Sequence, residues 1–279
     1  MTSKIILLDT ETTSTAKDNT NELIEIAWKT FQKDIKPTDL YVTSRTMQMR
    51  PESPCTPAAV VIHGMTQEKV DKFPPAVSIL PELATEFDAR DSEGFTFASY
   101  NTEFDMRILN DAFVKYLKRE FKPKKVIDVL RLAKKVVDPK KSGNLKLDTV
   151  YYYYALQYDL GCTSPDTVKM SDMALNTIKK ARSSHGASID VSITEVVFNK
   201  LWKDAEKVEG KELDDDGMMA FIAKPMLLVE WPWGQHKGRP ITEVFDKEYS
   251  YVEWFLFRCS HRDQHPDLVY TVNKIREAK

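Results

Sequence analysis

Three strand-like segments open the chain, and segments with helical and strand-like patterns alternate after them. Residues 5–8 form a continuous apolar run that ends in Asp9, as expected for a strand buried on both faces. Residues 22–29 partly alternate between polar and apolar side chains, and 40–49 is a third candidate strand. Helices must cover such a sheet if its apolar faces are to be buried. The pattern therefore predicts an α/β sandwich with a mixed sheet.

Later elements follow from the spacing of apolar residues. Thr56 and Pro57 predict the start of a short helix that ends before Gly64, because proline favours the first helical position. The same kind of pattern predicts a strand at 95–100 and helices at 74–88, 103–119, 145–156 and 187–203, and Val126 and Ile127 are expected to lead into a further helix that runs through 136.

Composition narrows the class of protein. The chain has 279 residues, of which 42% are hydrophobic and 29% charged, which is typical of one large globular domain with or without an appendage. It contains no apolar run of 18 residues and no N-terminal run long enough for a signal peptide. The three cysteines include no close pair, so neither a disulfide framework nor a zinc site is indicated. We expect a cytoplasmic protein without a membrane partner.

The net charge of −2 hides an uneven distribution. Residues 115–141 contain eleven Lys or Arg residues and three acids, as in either a solvated helix face or a stripe that neutralises phosphates. Residues 206–216 contain six acids and two lysines. We interpret 204–217 as an acidic linker or exposed loop that separates a domain at 1–203 from a smaller module at 218–279.

Two acids stand at the end of the first predicted strand. Side chains two residues apart on a strand share one face, so Asp9 and Glu11 should converge. Two converging carboxylates repel each other unless a cation lies between them, and Mg²⁺ or Mn²⁺ prefers oxygen ligands of this kind. An Asp-x-Glu pair alone is also common on ordinary surfaces.

Two further segments carry candidate residues. Asn101 to Asp105 follows the strand at 95–100 and opens a helix, where an acid is often only a cap or a dipole complement. His185 lies just before the helix at 187–203, and Asp190 lies in its first turn. Taken singly, each of these residues is compatible with a structural role.

Together, these segments resemble the three motifs of the DEDDh, or DnaQ-like, 3′→5′ exonucleases. The resemblance covers about residues 4–203 and implies a ribonuclease-H-like fold, a mixed five-stranded sheet flanked by helices. The motif segments are Leu8–Thr13, Asn101–Asp105 and His185–Asp190, with further fits at Ile62–Thr66, Ile127–Ala133 and Leu145–Asp148.

The resemblance implies a two-metal phosphodiester hydrolase that releases nucleoside 5′-monophosphates. Two Mg²⁺ ions, or Mn²⁺ in their place, would be held by Asp9, Glu11, Asp105 and Asp190. Glu11 resembles a catalytic carboxylate that contacts both ions or the terminal 3′ hydroxyl, and His185 resembles the general base that accepts the proton of the attacking water. A structural role is equally compatible with His63. Contacts to the terminal nucleotide are implied for Thr10, Thr12, Asn101, Phe104 and His63.

The chain departs from the family pattern at two places. Ser14 stands where glycine often follows the first motif, which affects the shape of that loop but not the carboxylates. Residues 157–184, with a predicted helix at 165–182, are inserted before His185. The insertion is expected to add packing or a grip on the nucleic-acid strand.

The C-terminal residues 218–279 are similar to the small module of exodeoxyribonuclease X-like proteins. The similarity rests on a Gly-x-x-x-Gly turn, Gly234 to Gly238, followed by a Tyr-x-x-Trp helix at Tyr251 and Trp254. The aromatic residues predict a small core. Lys237 and Arg239 on the turn suggest phosphate contacts, with docking of a protein partner as the alternative.

The leading hypothesis is a metal-dependent 3′→5′ exonuclease that acts on DNA 3′ ends, with a preference for single strands and a role in replication or repair. One alternative is an RNA-trimming 3′→5′ exonuclease, because only contacts to the 2′ hydroxyl would separate the two substrates. Another is a proofreading-type subunit or binding module that docks a replication partner through 218–279. The presence of all five catalytic positions argues against an inert binding protein.

Overall fold

Five strands form one sheet in the order β3-β2-β1-β4-β5. Neighbouring pairs on the β3 side of β1 are antiparallel, and those on the β4 side are parallel. The predicted mixed five-stranded sheet flanked by helices is therefore confirmed. The strands are β1 Ile5–Thr12, β2 Leu23–Thr30, β3 Arg45–Gln48, β4 Thr96–Ser99 and β5 Val126–Asp128.

The computed structural model describes residues 4–15, 21–31, 44–161, 169–184 and 186–278. Three parts of the sequence predictions lie outside these ranges: residues 40–43 of the third strand, residues 165–168 of the helix predicted at 165–182, and His185. The described chain divides into two units, Met1–Met219 and Ala220–Lys279. In the described part, no helix is long and apolar enough to cross a membrane.

Nine helices are described before residue 210. Thr56 caps α1 by accepting a hydrogen bond from the backbone N–H of Ala59, and Gly64 ends it with a φ of 67°, as the sequence predicts. The helices are α1 Pro57–His63, α2 Gln67–Val70, α3 Ala76–Ser92, α4 Thr102–Ala112, α5 Val129–Val136, α6 Pro139–Ser142, α7 Leu147–Gly161, α8 Met170–Ser184 and α9 Ala187–Glu209.

Side chains of even number on β1 and β2 face α3 and α4. Ile6 and Leu8 on β1 meet Ile26 and Trp28 on β2 in one buried core. This alternation follows directly from the period of two in a strand. Residues of helices and loops complete this buried core, among them Leu80, Leu83, Phe87, Leu109, Phe113 and Phe121.

The other face of the sheet is covered by α9. Phe31, just after β2, packs against Phe198 and Trp202 of that helix, with ring centroids 4.7 and 5.8 Å away. The ammonium group of Lys29 lies 2.6 Å from a carboxylate oxygen of Glu195, and both side chains are buried. This ion pair ties β2 to the helix whose first turn carries Asp190.

We expect the substitution Glu195→Leu to lower the free energy of unfolding by about 3–5 kcal/mol, because it removes the buried carboxylate that pairs with the Lys29 ammonium. The double variant Lys29→Met, Glu195→Leu should recover most of that loss, since an apolar pair of similar volume replaces both charges. Urea denaturation followed by circular dichroism measures both values. A double variant as unstable as the single one would show that the ion pair itself supplies net stability.

Two predicted boundaries differ in the structure. The helix predicted at 103–119 is α4 followed by a π-helical turn, Phe113–Leu117, which ends at Lys118 with a φ of 57°. The segment 204–217 is not an extended linker, because α9 continues to Glu209 and α10, Asp215–Ala223, begins six residues later. Leu213 between them is buried. The local excess of acids indicated solvent exposure, but a helix can carry acids on its exposed face.

The second unit has its own apolar core. Trp231, Val252, Phe255 and Leu268 are buried together there. Gly234 and Gly238 have φ values of 67° and 81°, a region that glycine adopts without steric cost, so the predicted turn is present. The helices of this unit after α10 are α11 Ile241–Lys247, α12 Tyr249–Phe257 and α13 Pro266–Glu277.

Arg239 of that turn is held by neighbouring acids rather than directed to solvent. Its guanidinium lies 3.0 Å from Glu243 and 3.6 Å from Glu248, and it also contacts the ring of the buried His236. Lys237, in contrast, is exposed. A phosphate contact by Arg239 would have to compete with two carboxylates, so only Lys237 stays a candidate for such a contact.

Candidate active site

Three carboxylates meet at the end of β1. Asp9 and Glu11 lie on one face of the strand, as the period of two predicts, and Asp190 approaches them from the first turn of α9. One carboxylate oxygen of each residue lies within 4.8 Å of the others. All three side chains are partly exposed.

The fourth carboxylate belongs to a helix on the opposite face of the sheet. Asp105, in the first turn of α4, is buried and accepts a hydrogen bond from the Thr10 hydroxyl, whose Oγ1 lies 2.7 Å from Oδ1. Thr10 points away from Asp9 and Glu11 because it lies between them on the strand. The Thr10 hydroxyl donates its hydrogen bond to the Asp105 carboxylate. The interaction seen in the structure therefore differs from the predicted contact with the terminal nucleotide.

The carboxylates form the floor of an open cleft of about 400 Å³. The floor is acidic, whereas much of the wall is apolar or aromatic, so the cleft can receive a group with both a charged and an apolar part. The wall residues include Ile62, Tyr100, Phe104 and Leu147.

The acids of the floor have raised pKa values. Burial is the main cause for Asp9, whose pKa lies well above its ordinary value, and the charges of Asp105 and Asp190 raise it further. Burial followed by the Asp190 and Glu25 charges raises the pKa of Glu11 to about 8. Burial also raises the pKa of Asp105 and Asp190 to about 6 each, although the hydrogen bond from Thr10 acts in the opposite direction on Asp105. The folded protein therefore binds protons at this site near neutral pH.

For protein treated with EDTA, we expect the free energy of unfolding to fall as pH rises from about 4 to about 8. The folded state holds protons on these carboxyls that the unfolded chain has already lost, so the unfolded state gains relative stability with each step in pH. Each kcal/mol lost should lower Tm by roughly 2–4 °C. Saturating Mg²⁺ or Mn²⁺ should reverse most of the fall at pH 8.

Thermal denaturation at several pH values, with EDTA or with the metal, measures this effect. The variant Glu11→Gln lacks the carboxyl with the raised pKa of about 8, so its Tm should depend less on pH. A Tm that is constant or rises between pH 5 and 8 in EDTA would contradict the linkage.

The donor set fits a divalent cation. Asp9, Glu11 and Asp190 offer only oxygen atoms, which hard ions such as Mg²⁺ prefer, and these atoms lie close enough to converge on one point. The same convergence contributes to the raised pKa values, since the negative charges of neighbouring acids add to the effect of burial.

Glu25 is a residue of the site that the sequence analysis did not single out. It is buried on β2 and pairs in register with Glu11. Its carboxylate accepts a hydrogen bond from the backbone N–H of Ala187, 2.9 Å away, at a helix start where Gly186 provides no side-chain cap. Glu25 thereby fixes the turn that carries Asp190. The available signal was an acid between apolar residues, Ile24 and Ile26, of a strand.

Of the other residues predicted to contact the terminal nucleotide, some line the cleft and others have a structural role beside it. Phe104 and Asn101 line the cleft directly. Thr12 also borders it, but its hydroxyl donates to the backbone carbonyl of Ser14, 2.8 Å away, and so shapes the first loop. His63 is only 2% exposed and accepts a hydrogen bond on Nδ1 from the backbone N–H of Met65. Its neighbour Ile62 lines the cleft, which favours the structural role for His63.

A comparison with known families identifies the family of the chain. The sequence profile of the exonuclease family RNase T matches residues 6–160, more than half of the chain. The chain belongs to the RNase T exonuclease family. This exonuclease is therefore a DnaQ-like 3′→5′ nuclease, a hydrolase that depends on divalent metal ions. Of the motif residues above, Asp9, Glu11 and Asp105 lie within the matched range, and Asp190 lies beyond it.

Several solved structures are similar to the exonuclease. Exonuclease X in complex with 5′ overhanging duplex DNA has 18% identity and a TM-score of 0.46, covering 78% of this chain and 99% of that one. The zinc-bound E. coli ExoI–ssDNA complex has 14% identity and a TM-score of 0.45, covering 75% and 42%. The nuclease domain of 3′hExo, a DEDDh family member bound to rAMP, has 16% identity and a TM-score of 0.44, covering 75% and 94%. No curated protein sequence matches the chain significantly.

Proposed function

We propose that this exonuclease removes nucleoside 5′-monophosphates from the 3′ ends of DNA and prefers single strands. The observation that carries the proposal is the meeting of four carboxylates, from β1, α4 and α9, on the floor of one open cleft. Such a floor suits the hydrolysis of a phosphodiester, because bound divalent cations lower the pKa of an attacking water and stabilise the charge that develops on the phosphate.

The four carboxylates are proposed to bind the metal ions. Asp9, Glu11, Asp105 and Asp190 would hold two ions, Mg²⁺ for preference, and Thr10 keeps Asp105 oriented. Glu11 would also contact the terminal 3′ hydroxyl, as the family resemblance implies. These assignments rest on the convergence of oxygen ligands and on the family motifs that the residues match.

Proton transfer is assigned to His185. It directly precedes α9 in sequence, and the first turn of that helix is held by the hydrogen bond from Ala187 to Glu25. A neutral imidazole near pH 7 suits a general base. The proton would pass from the attacking water to this ring as the phosphodiester bond breaks.

The terminal nucleotide would lie against the apolar wall of the cleft. Phe104 and Ile62 offer surfaces for a sugar or a base, and aromatic side chains stack on bases without regard to sequence. An unpaired 3′ end can reach such a floor more easily than a paired one, because pairing holds the last base in the duplex. The similarity of 218–279 to the exodeoxyribonuclease X-like module supports DNA as the polymer.

The test is to incubate the full chain with 5′-labelled single strands of DNA and RNA that have the same sequence. Mg²⁺, Mn²⁺ or EDTA is present in parallel reactions, and the products are resolved on a denaturing gel. We expect a ladder of DNA shortened from the 3′ end and no cleavage in EDTA. Shortening of RNA alone would replace DNA with RNA as the substrate. No shortening of either polymer would leave a binding module that docks a partner through 218–279.

A further inference from the structure

Two groups of basic residues between 115 and 146 have different surroundings. In the first group, the positive charges are already paired with acids of the protein. The pairs include Lys122–Glu120 at 2.8 Å, Lys124–Asp91 at 3.6 Å and Lys125–Asp216 at 2.7 Å, besides Lys115–Glu22 at 3.0 Å and Arg119–Asp88 at 2.5 Å. This part of the stretch has little positive charge left for phosphates.

The second group consists of Lys140, Lys141 and Lys146, which we call the lysine rim. All three side chains are exposed. Their ammonium groups have no hydrogen bond or ion pair with any residue within the described ranges. The nearby acid Asp138 is already used as the cap of α6, since its carboxylate accepts the backbone N–H of Lys140, 2.9 Å away.

Lys146 of the lysine rim adjoins the cleft, because the residues on both sides of it are placed at the cleft wall. Tyr100 lines the cleft, and its hydroxyl donates to the backbone carbonyl of Leu145, 2.6 Å away. Leu147 lines the same cleft. Lys146 therefore lies between two residues that are placed at the cleft wall. Because a short length of chain joins Lys140 to Lys146, their Cα atoms can be no more than about 20 Å apart.

The charges of the cleft show why a rim of this kind is needed. Its floor carries four acids, which repel the phosphates of a nucleic-acid strand wherever no cation screens them. Affinity for the strand must then come from positive charge outside the floor, and binding to phosphates releases counterions from the strand. Unpaired lysines beside the wall meet this requirement, whereas the paired lysines at 122–125 do not.

We propose that the lysine rim binds the phosphate backbone of the DNA strand whose 3′ end lies in the cleft. The rim sets the direction in which the strand leaves the carboxylates, and it contributes about three phosphate contacts. This inference rests on the proposed function, because it concerns the substrate of the same cleft.

The experiment compares two triple variants of the full chain. One is Lys140→Gln, Lys141→Gln, Lys146→Gln, and the matched control is Lys122→Gln, Lys124→Gln, Lys125→Gln. Both lower the net charge by three, but the first removes lysines without an ion pair in the described ranges and the control removes lysines that are paired with acids. Binding of fluorescein-labelled oligo(dT) 20-mer is measured by anisotropy across a salt series, with Ca²⁺ in place of Mg²⁺ to prevent cleavage, and with oligo(U) in a parallel arm. Thermal denaturation checks that each variant is folded.

We expect the rim variant to bind oligo(dT) more weakly and its log–log salt slope to flatten by about 2, at roughly 0.7 per lost phosphate contact. The control should keep the slope of the unsubstituted protein. Equal slopes for the two variants, or an effect on oligo(U) alone, would overturn the proposal. Cleavage by the unsubstituted protein tests the proposed function separately, so that either idea can fail without the other.

Discussion

The variant Asp9→Asn should lose cleavage to the level of the EDTA-treated protein while it keeps its fold. The amide preserves the shape of the side chain but removes a negative charge from the floor, where Glu11 and Asp190 offer oxygen atoms within 4.8 Å. Removing that charge also relieves repulsion, so the metal-free variant should be more stable than the metal-free parent at pH 8. The combined result, lower activity with higher stability, distinguishes a ligand of the metal from a residue that merely supports the fold.

Single-turnover cleavage of labelled single-stranded DNA, together with thermal denaturation in EDTA and in Mg²⁺, measures both quantities. Asp172→Asn, which makes the same change at an exposed position of α8, should leave both close to the parent values. The variant Asp105→Asn should behave as Asp9→Asn does, because it removes the carboxylate that Thr10 orients. Undiminished hydrolysis by Asp9→Asn in Mg²⁺-restored buffer would remove this residue from the mechanism.

The variant His185→Ala should lower turnover roughly 10²–10⁴-fold, which is the usual contribution of a general base. Its affinity for the strand and for metal ions should change little, since no carboxylate or wall residue is altered. In the parent, the rate should rise with pH as the imidazole loses its proton, and that rise should be absent from the variant. His261→Ala, at an exposed position of the second unit, serves as the matched control.

Near-normal turnover by His185→Ala would exclude it as the base and direct attention to tyrosines. The four residues Tyr151–Tyr154 are the candidates, but the places of Tyr151 and Tyr154 in the structure do not favour those two. Tyr151 is buried, and the hydroxyl of Tyr154 donates to Asp204, 2.8 Å away. Stopped-flow measurement of the rate across pH 6–9 compares the parent with the variant.

The basic stretch shows what a count of charges along the sequence can predict and what it cannot. The sequence indicated a net positive region at 115–141 and left open whether it was a solvated face or a phosphate stripe. The partners that decide this, Asp91 and Asp216 among them, are distant in sequence and are brought close only by folding. Ion pairing therefore neutralises one part of the basic run, which no count of local charge could have shown.

His63 and Glu25 illustrate the same limit for polar residues near the site. His63 lies beside a residue that lines the cleft, yet the helical turn directs Ile62 into the cleft and buries His63. Glu25 belongs to an apolar strand with no motif around it, and its importance comes from the backbone N–H of Ala187, 162 residues away. In each case, the deciding contact depends on the packing of one element against another.

Local physics alone accounts for much of this protein. The period of two in β1 placed Asp9 and Glu11 on one face, the capping residues set the ends of α1, and the order of elements led to the mixed sheet. Tertiary structure alone brought Asp105 and Asp190 to the same point from helices on opposite faces of the sheet, since residues so far apart in sequence meet only when those helices pack. The raised pKa values follow from that meeting, because burial and mutual repulsion exist only once the four acids share one cleft.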